Sequence, residues 1–272
     1  MKVAAIQMVS STGLDDNLAT AATLVAQAVQ AGAELVVLPE YFCLMGLQDG
    51  EKLAIQESFG TGPIQQFLSD MARQHRIWLV GGTIPLSTKA AQKVTNSSLV
   101  FDPQGVCVAR YDKIHLFCYQ NARECYDEAR LLQAGTSSTV FTMLARDGQR
   151  WTVGLSVCYD LRFPELYRMY AQQGAEVLLV PSAFTATTGA AHWEVLLRAR
   201  AIENLAYVVA AAQGGQHANG RRTWGHSMVV NPWGLVLSEQ AEQAGVVMAE
   251  LVRDQLQICR QQLPALTHRV LT

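Results

Sequence analysis

The chain has 272 residues, 50% hydrophobic and 16% charged, with a net charge of −2. That length buries a large core without disulfide staples, and the near-neutral charge gives no electrostatic footprint for nucleic acid or an acidic membrane. Six cysteines without paired spacing, the absence of any leader-like stretch ahead of the Val3 strand, and the lack of a bilayer-length apolar run together set the expectation of a reduced, cytoplasmic protein.

In chain order, residues 3–9 read as an apolar strand. Residues 15–31 read as a helix, with Asp15 or Asp16 as N-cap and Gly32 as its stop. Residues 34–38 form a second buried strand ended by Pro39, residues 62–76 a helix with Pro63 in its first turn, and residues 77–84 a strand. Residues 97–101 and 106–111 pair as a hairpin. Then come a strand over 151–157, a helix over 164–173, a strand over 176–180, a strongly amphipathic helix over 190–205 and a strand over 207–212. A second hairpin (227–230 with 235–238), a strand over 246–251 and a helix over 253–263 complete the list. No linker, repeat or low-complexity stretch divides the chain, so residues 1–272 are expected to form a single domain. Continuous Val/Leu/Ile strands imply a sheet covered on both faces, and the hairpins exclude a purely parallel one, so a layered α/β architecture follows.

Three polar residues stand at predicted strand ends. Cys158 closes the apolar run that starts at Trp151 and precedes the charged turn Tyr159-Asp160-Leu161-Arg162. A thiol at the C-terminal end of a strand, before a helix, is where α/β enzymes place nucleophiles, although a lone cysteine is equally at home in a core. Glu40 follows Leu38-Pro39 and precedes Tyr41-Phe42, apolar company that would raise a carboxylate's pKa and suit a general base, unless it caps a loop or pairs with a lysine. Lys113 follows the hairpin, next to Ile114 and Leu116. A lysine so placed can stabilise an oxyanion and hold a neighbouring thiol as thiolate, or simply pair with Asp112. His115 suggests a Cys-His pair, but Lys113 two residues away would share its face and depress its pKa.

With Leu38-Pro39-Glu40, Tyr111-Asp112-Lys113-Ile114-His115-Leu116 and Val157-Cys158-Tyr159-Asp160-Leu161-Arg162-Phe163-Pro164-Glu165 in this order, the chain resembles the nitrilase superfamily of carbon–nitrogen hydrolases, from the first strand to about residue 268. The resemblance implies a four-layer αββα sandwich, pairing into a homodimer or higher even oligomer, and a cofactor-free hydrolase. It implies that Glu40 is the general base, Lys113 the oxyanion stabiliser and Cys158 the nucleophile. Glu128, in Tyr126-Asp127-Glu128, matches a second glutamate of the family and would orient Lys113. The chemistry is consistent in its own right: amide hydrolysis needs a nucleophile, a base that returns its proton to the leaving nitrogen, and donors for the oxyanion, here Lys113 and the N–H of Tyr159.

Arg162, in the turn after the nucleophile, can clamp a substrate carboxylate or pair with Asp160 or Glu165. Phe184 can wall the pocket or belong to the core; Thr188 can donate a hydroxyl or cap the following helix. The runs Pro181 to Phe184, Thr188 to Glu203, Tyr207 to Gln213 and Gly225 to Gly234 look most like the deaminated glutathione amidase branch. That resemblance implies that Arg162, Phe184 and Thr188 bind the α-keto acid end of a small-molecule amide, which is split into 2-oxoglutarate and cysteinylglycine. The alternative is an ω-amidase acting on 2-oxoglutaramate or 2-oxosuccinamate. A nitrile hydrolase shares the triad, and a non-catalytic scaffold would have no need to keep all three residues.

The loop after Lys113 departs from the family pattern in Cys118, Cys125 and Ala134-Gly135-Thr136, which bears on substrate preference. His115, Cys118 and Cys125 lack further ligands at usable spacing, so no metal is expected. Gly154-Leu155-Ser156-Val157-Cys158 lacks the second glycine of a serine nucleophile elbow. His192, Trp193 and Glu194 read as packing and hydrogen-bonding residues, with Glu194 also placed to brace the lysine or the base. His217 and Asn219 read as an exposed turn.

Overall fold

A computed structural model describes every residue except Asp49, Ala91, Arg123, Glu124, Leu271 and Thr272. The chain runs from β1 (Lys2–Gln7) through α1 (Leu14–Gln30), β2 (Leu35–Val37), the single turn α2 (Glu51–Ala54) and α3 (Pro63–His75) to β3 (Trp78–Val80). Next come β4 (Ile84–Ser87), β5 (Val94–Phe101) and β6 (Cys107–Asp112), then a two-stranded ribbon of β7 (Cys118–Gln120) and β8 (Cys125–Asp127). The second half has β9 (Val140–Leu144), β10 (Arg150–Leu155), α4 (Pro164–Gln172), β11 (Val177–Leu179), α5 (Ala186–Asn204) and β12 (Tyr207–Ala210). It ends with a ribbon of β13 (Gly214–Gln216) and β14 (Arg222–Trp224), then β15 (Ser227–Val230), β16 (Val236–Gln240), β17 (Gly245–Glu250) and α6 (Arg253–Gln262).

Two mixed sheets carry the architecture. The first has the order β17-β1-β2-β3-β5-β4, with β6 added on β5; the second has the order β16-β15-β12-β11-β10-β9. Each is parallel at its centre (β1-β2-β3 and β10-β11-β12) and antiparallel at its flanks. The last strand, β17, returns to pair with β1.

Side-chain alternation explains the layers. Val3, Ala5, Leu35 and Val37 share one core with Val153, Leu155, Val177 and Leu179 of the second sheet. Their sequence neighbours Ala4, Ile6, Val36 and Leu38 point the other way, into a core formed with Ala21, Leu24 and Val25 of α1 and Ile64, Leu68 and Ala72 of α3. Helices α4 and α5 cover the outer face of the second sheet through Tyr167, Tyr170, Trp193, Leu197 and Ala201. The result is the expected αββα sandwich. Each buried Val or Leu contributes about 1.5–3 kcal/mol, and a sheet buried on both faces collects this from every position of a strand.

Several boundaries differ from the sequence reading, each for a local reason. The N-cap of α1 is Gly13, and Asp15 and Asp16 sit inside the first turn, where they complement the helix dipole rather than cap it. The strand expected over 77–84 breaks into β3 and β4 at Gly81-Gly82. Gly82 has φ +49°, and a Cβ there would lie 2.0 Å from the Pro39 carbonyl, so only glycine lets this bend close on the Glu40 loop. Strand β9 and the β13–β14 ribbon were not anticipated. Helix α5 starts four residues early, at Ala186, and is not strongly amphipathic: Val195 and Ile202 are exposed although Trp193, Leu197 and Ala201 are buried. Its cap is Thr185, whose hydroxyl accepts the Thr188 N–H, so Thr188 is not the cap.

Candidate active site

The two sheets bring Glu40, Lys113, Glu128 and Cys158 together at one edge of the sandwich. Lys113 directly follows β6 and is completely buried; Glu40, three residues past β2, is 1% exposed. Lys113 Nζ donates to Glu40 Oε1 at 3.0 Å and to both oxygens of Glu128, at 3.0 and 2.8 Å. Glu40 is held from both sides of the sandwich: Asn96 Nδ2 donates to Oε1 at 2.8 Å from the first sheet, and the Ala183 N–H donates to Oε2 at 2.9 Å from the second. Glu128 is fixed by the Tyr41 hydroxyl at 2.9 Å and the Phe117 N–H at 2.7 Å.

Cys158 opens the 3₁₀ turn Cys158–Arg162 with φ +52° and is 7% exposed. A non-glycine residue in that region costs about 1–3 kcal/mol and persists only where the surroundings enforce it. Here the Cys158 N–H donates to the Pro181 carbonyl at 2.9 Å, which fixes the turn and aims the thiol at Glu40. The N–H of Tyr159 lies in the first positions of the turn, where donors have no partner within the helix. Tyr41, next to Glu40, is likewise left-handed at φ +57°.

Beneath the thiol, Asp160 is fully buried and ties the two motif loops together. It accepts the Val157 N–H at 2.8 Å, the Tyr111 hydroxyl at 2.7 Å and the His115 N–H at 3.0 Å, and its Oδ1 lies 2.7 Å from His115 Nδ1. His115 stacks on Phe163 at 3.6 Å and serves this network, not the thiol. Gly135 completes the Lys113 loop: its N–H donates to the Lys113 carbonyl at 2.9 Å, and a Cβ there would lie 2.1 Å from the Asp112 carbonyl.

Electrostatics set the resting protonation states. Burial pulls the Lys113 pKa down, but Glu128, Glu40 and Cys158 outweigh it and hold the ammonium above its ordinary range. Burial raises the Cys158 thiol, Glu40 raises it further, and Lys113 offsets only part of this. Lys113 therefore offsets the shift without reversing it, so a thiol raised in this way calls for a base. Burial raises Glu128, yet Lys113 and the Phe117 N–H bring it net below its ordinary 4.5. A depressed folded pKa adds stability above the unfolded value and loses it as pH falls through the folded one. Glu128→Gln should therefore cost about 2 kcal/mol at pH 7, and the gap to the unmodified protein should narrow in urea titrations as pH falls below the ordinary carboxyl value of 4.5. A gap that is independent of pH would reject the assignment.

A pocket opens over the thiol, lined by Cys158, Tyr159, Arg162, Phe184, Thr188 and Arg221 among others. Arg162 pairs with neither Asp160 nor Glu165; its Nη1 lies 3.1 Å from His192 Nδ1 and its guanidinium 5.3 Å from the Phe184 ring. Phe184 is both wall and core, packing on Trp193 at 4.8 Å. The Thr188 hydroxyl lies 3.0 Å from that of Thr185. Glu194 braces nothing in the site: it is exposed and pairs with Arg198 at 3.2 Å. His217 is buried, bonded to the Ser10 carbonyl at 3.0 Å and the Thr223 hydroxyl at 2.8 Å, so it is no exposed turn residue. Among the described residues, no group of three or more His, Cys, Asp or Glu is placed to hold a metal ion, and no helix is long and apolar enough to cross a membrane.

Four residues of the site were not anticipated: Asn96, Tyr41, Arg221 and the structural role of Asp160. Asn96 had a legible signal, since Thr95, Asn96, Ser97 and Ser98 are four consecutive buried polar residues in one strand. The other three act through contacts between distant segments.

A carboxylate, a lysine and a thiol converge here from two sheets, and residues 2–261 match the carbon–nitrogen hydrolase family model. The chain belongs to that family and is an amidohydrolase acting on carbon–nitrogen bonds. It is 43% identical over 269 residues to a deaminated glutathione amidase of Synechocystis sp., covering 98% of this chain and 97% of that one. It is 37% identical over 264 residues to an omega-amidase of Homo sapiens, covering 97% and 92% of the two chains. Among solved structures, the Caenorhabditis elegans NitFhit protein superposes with a TM-score of 0.90 at 38% identity; the match covers 99% of this chain and 65% of that longer one.

Proposed function

We propose that this protein hydrolyses deaminated glutathione to 2-oxoglutarate and cysteinylglycine through a thioester on Cys158. Glu40 takes the thiol proton as sulfur attacks the amide carbonyl and the C–S bond forms. Lys113 Nζ and the Tyr159 N–H hold the tetrahedral oxyanion, and Glu128 orients Lys113. As the C–N bond breaks, Glu40 passes its proton to the departing amine. Glu40 then deprotonates water, whose oxygen attacks the thioester; the acid leaves and the thiol recovers its proton. The observation that carries this reading is one buried carboxylate, Glu40, bonded to the Lys113 ammonium at 3.0 Å and near enough to the Cys158 thiol to raise its pKa. A base so placed suits a thiol whose pKa burial raises.

Substrate class rests on the pocket. Arg162, Phe184 and Thr188 hold the α-keto acid end, the guanidinium against its carboxylate. The first test is 2-oxoglutarate release from deaminated glutathione, run beside ammonia release from 2-oxoglutaramate. Faster turnover of 2-oxoglutaramate would move the protein to the omega-amidases. Arg162→Ala is expected to raise KM for α-keto acid amides roughly tenfold to a hundredfold, as for a lost charged hydrogen bond. Unchanged KM and kcat would remove Arg162 from the substrate.

A further inference from the structure

Two further cavities share lining residues with the pocket over Cys158. Arg221 lines the reaction pocket, then a cleft of about 400 Å³ shared with Tyr126 and Lys52, then an open basin of about 1310 Å³. Arg162 and Thr188 line the pocket but neither the cleft nor the basin. Arg162 thus lines the reaction pocket alone, while Arg221 lines it and both neighbouring cavities.

The described charges differ between the two cavities: Asp127 and Glu128 line the cleft together with Lys52 and Arg221. Lys52, Arg221 and Arg222 line the basin, and no Asp or Glu among the described residues does. Arg222 is committed to Glu242 at 3.1 Å. Arg221 is not committed to any carboxylate. Its Nη2 donates to the Ala183 carbonyl at 2.6 Å, and its guanidinium lies 5.3 Å from the Tyr126 ring. Its buried Nε has no hydrogen-bond partner, and no described residue accepts from Nη1. A guanidinium pinned along one edge at a cavity wall, with Nη1 uncommitted, is set to receive an anionic acceptor.

The turn that carries Arg221 is unusually well tied down. Asn219 Oδ1 accepts the Arg221 N–H at 2.9 Å, while Asn219 Nδ2 donates to the Gly46 carbonyl at 2.8 Å. His217, bonded through both ring nitrogens, anchors the same turn to Ser10 and Thr223. Hydrolysis itself assigns no task to this ribbon tip, yet its bonds fix an arginine stem before any ligand arrives, which lowers the entropy cost of binding.

We propose that Arg221, with Lys52 beside it, is a specificity-determining residue for the departing amine. It takes the terminal carboxylate of an amine of about dipeptide length, while Arg162 holds the acid end of the same substrate. This deepens the reading given under Proposed function and rests on it, because that substrate's leaving group is a peptide amine ending in a carboxylate.

The test compares deaminated glutathione with its C-terminal carboxamide, in the unmodified enzyme and in Arg221→Met and Arg221→Lys. The unmodified enzyme is expected to favour the acid by about tenfold to a hundredfold in kcat/KM, the worth of a charged hydrogen bond. Arg221→Met should bring that ratio close to one, and Arg221→Lys should restore part of it. A purely structural Arg221, acting through Ala183 on Glu40, would slow both forms alike and leave the ratio intact; that result overturns the proposal. So does an unmodified enzyme that treats acid and carboxamide equally. An enzyme that turns over 2-oxoglutaramate but neither dipeptide form would instead sink the substrate reading, and the subsite with it.

Discussion

Cys158→Ala is expected to lower amide turnover at least about a thousandfold, because removing the nucleophile removes the covalent route. Acid-quenched protein should carry a 2-oxoglutaryl mass adduct during turnover, and the alanine variant none. The substitution keeps the turn: its anchor is the backbone bond from Cys158 N–H to Pro181, and alanine adopts the same φ at a similar cost. The variant should therefore melt within a few degrees of the unmodified protein, so lost activity is not lost folding. Alkylation adds a second reading. Since burial and Glu40 raise the thiol, iodoacetamide should label Cys158 slowly at pH 7 and faster with rising pH. An adduct that persists in Cys158→Ala, or turnover above a tenth of the original, would place the nucleophile elsewhere.

Lys113→Met is expected to be the most damaging single change for stability. It removes the cation between Glu40 and Glu128 and leaves two carboxylates facing each other in a site with almost no solvent. Breaking a buried ion pair from one side costs about 3–5 kcal/mol, a drop in Tm of roughly 10 °C for a chain of this size. Neutralising a carboxylate as well should relieve the penalty: Lys113→Met with Glu128→Gln should be more stable than Lys113→Met alone. Activity separates the two roles, because the double variant still lacks an oxyanion donor and should stay about a hundredfold or more below the original rate. A Lys113→Met protein that melts normally would show that the three groups do not share one charge balance.

The residues proposed to do the chemistry were legible because each sits at a chain-direction change that sequence marks clearly. Glu40 follows a proline that ends an apolar run, Lys113 follows a hairpin and Cys158 precedes a charged turn. Of the residues that hold them, only Asn96 left a mark, in the polar run Thr95 to Ser98, and even that names no partner. Asn96 reaches Glu40 across 56 residues, Tyr41 reaches Glu128 across 87, and Asp160 reaches Tyr111 and His115 across 49 and 45. No local pattern encodes such contacts; they exist only once the strand order is set. Strands β2, β3 and β11 are three residues long, too short for a period, and were found as apolar runs between turn signals. His217 shows the opposite failure: glycine-rich surroundings suggested an exposed turn, while tertiary bonds bury it.

Glu40 accepts hydrogen bonds from Lys113 and Asn96 on one sheet and from Ala183 on the other. The carboxylate is therefore a rivet through the seam between the two sheets, and catalysis depends on how they are seated rather than on either sheet alone. A misplacement of about 1 Å costs on the order of a hundredfold in rate. Heat or denaturant that loosens the seam should silence the enzyme while circular dichroism still reports intact strands and helices. For this fold, inactivation would act as an early warning of sandwich slippage, and a damaged copy would go quiet before it comes apart.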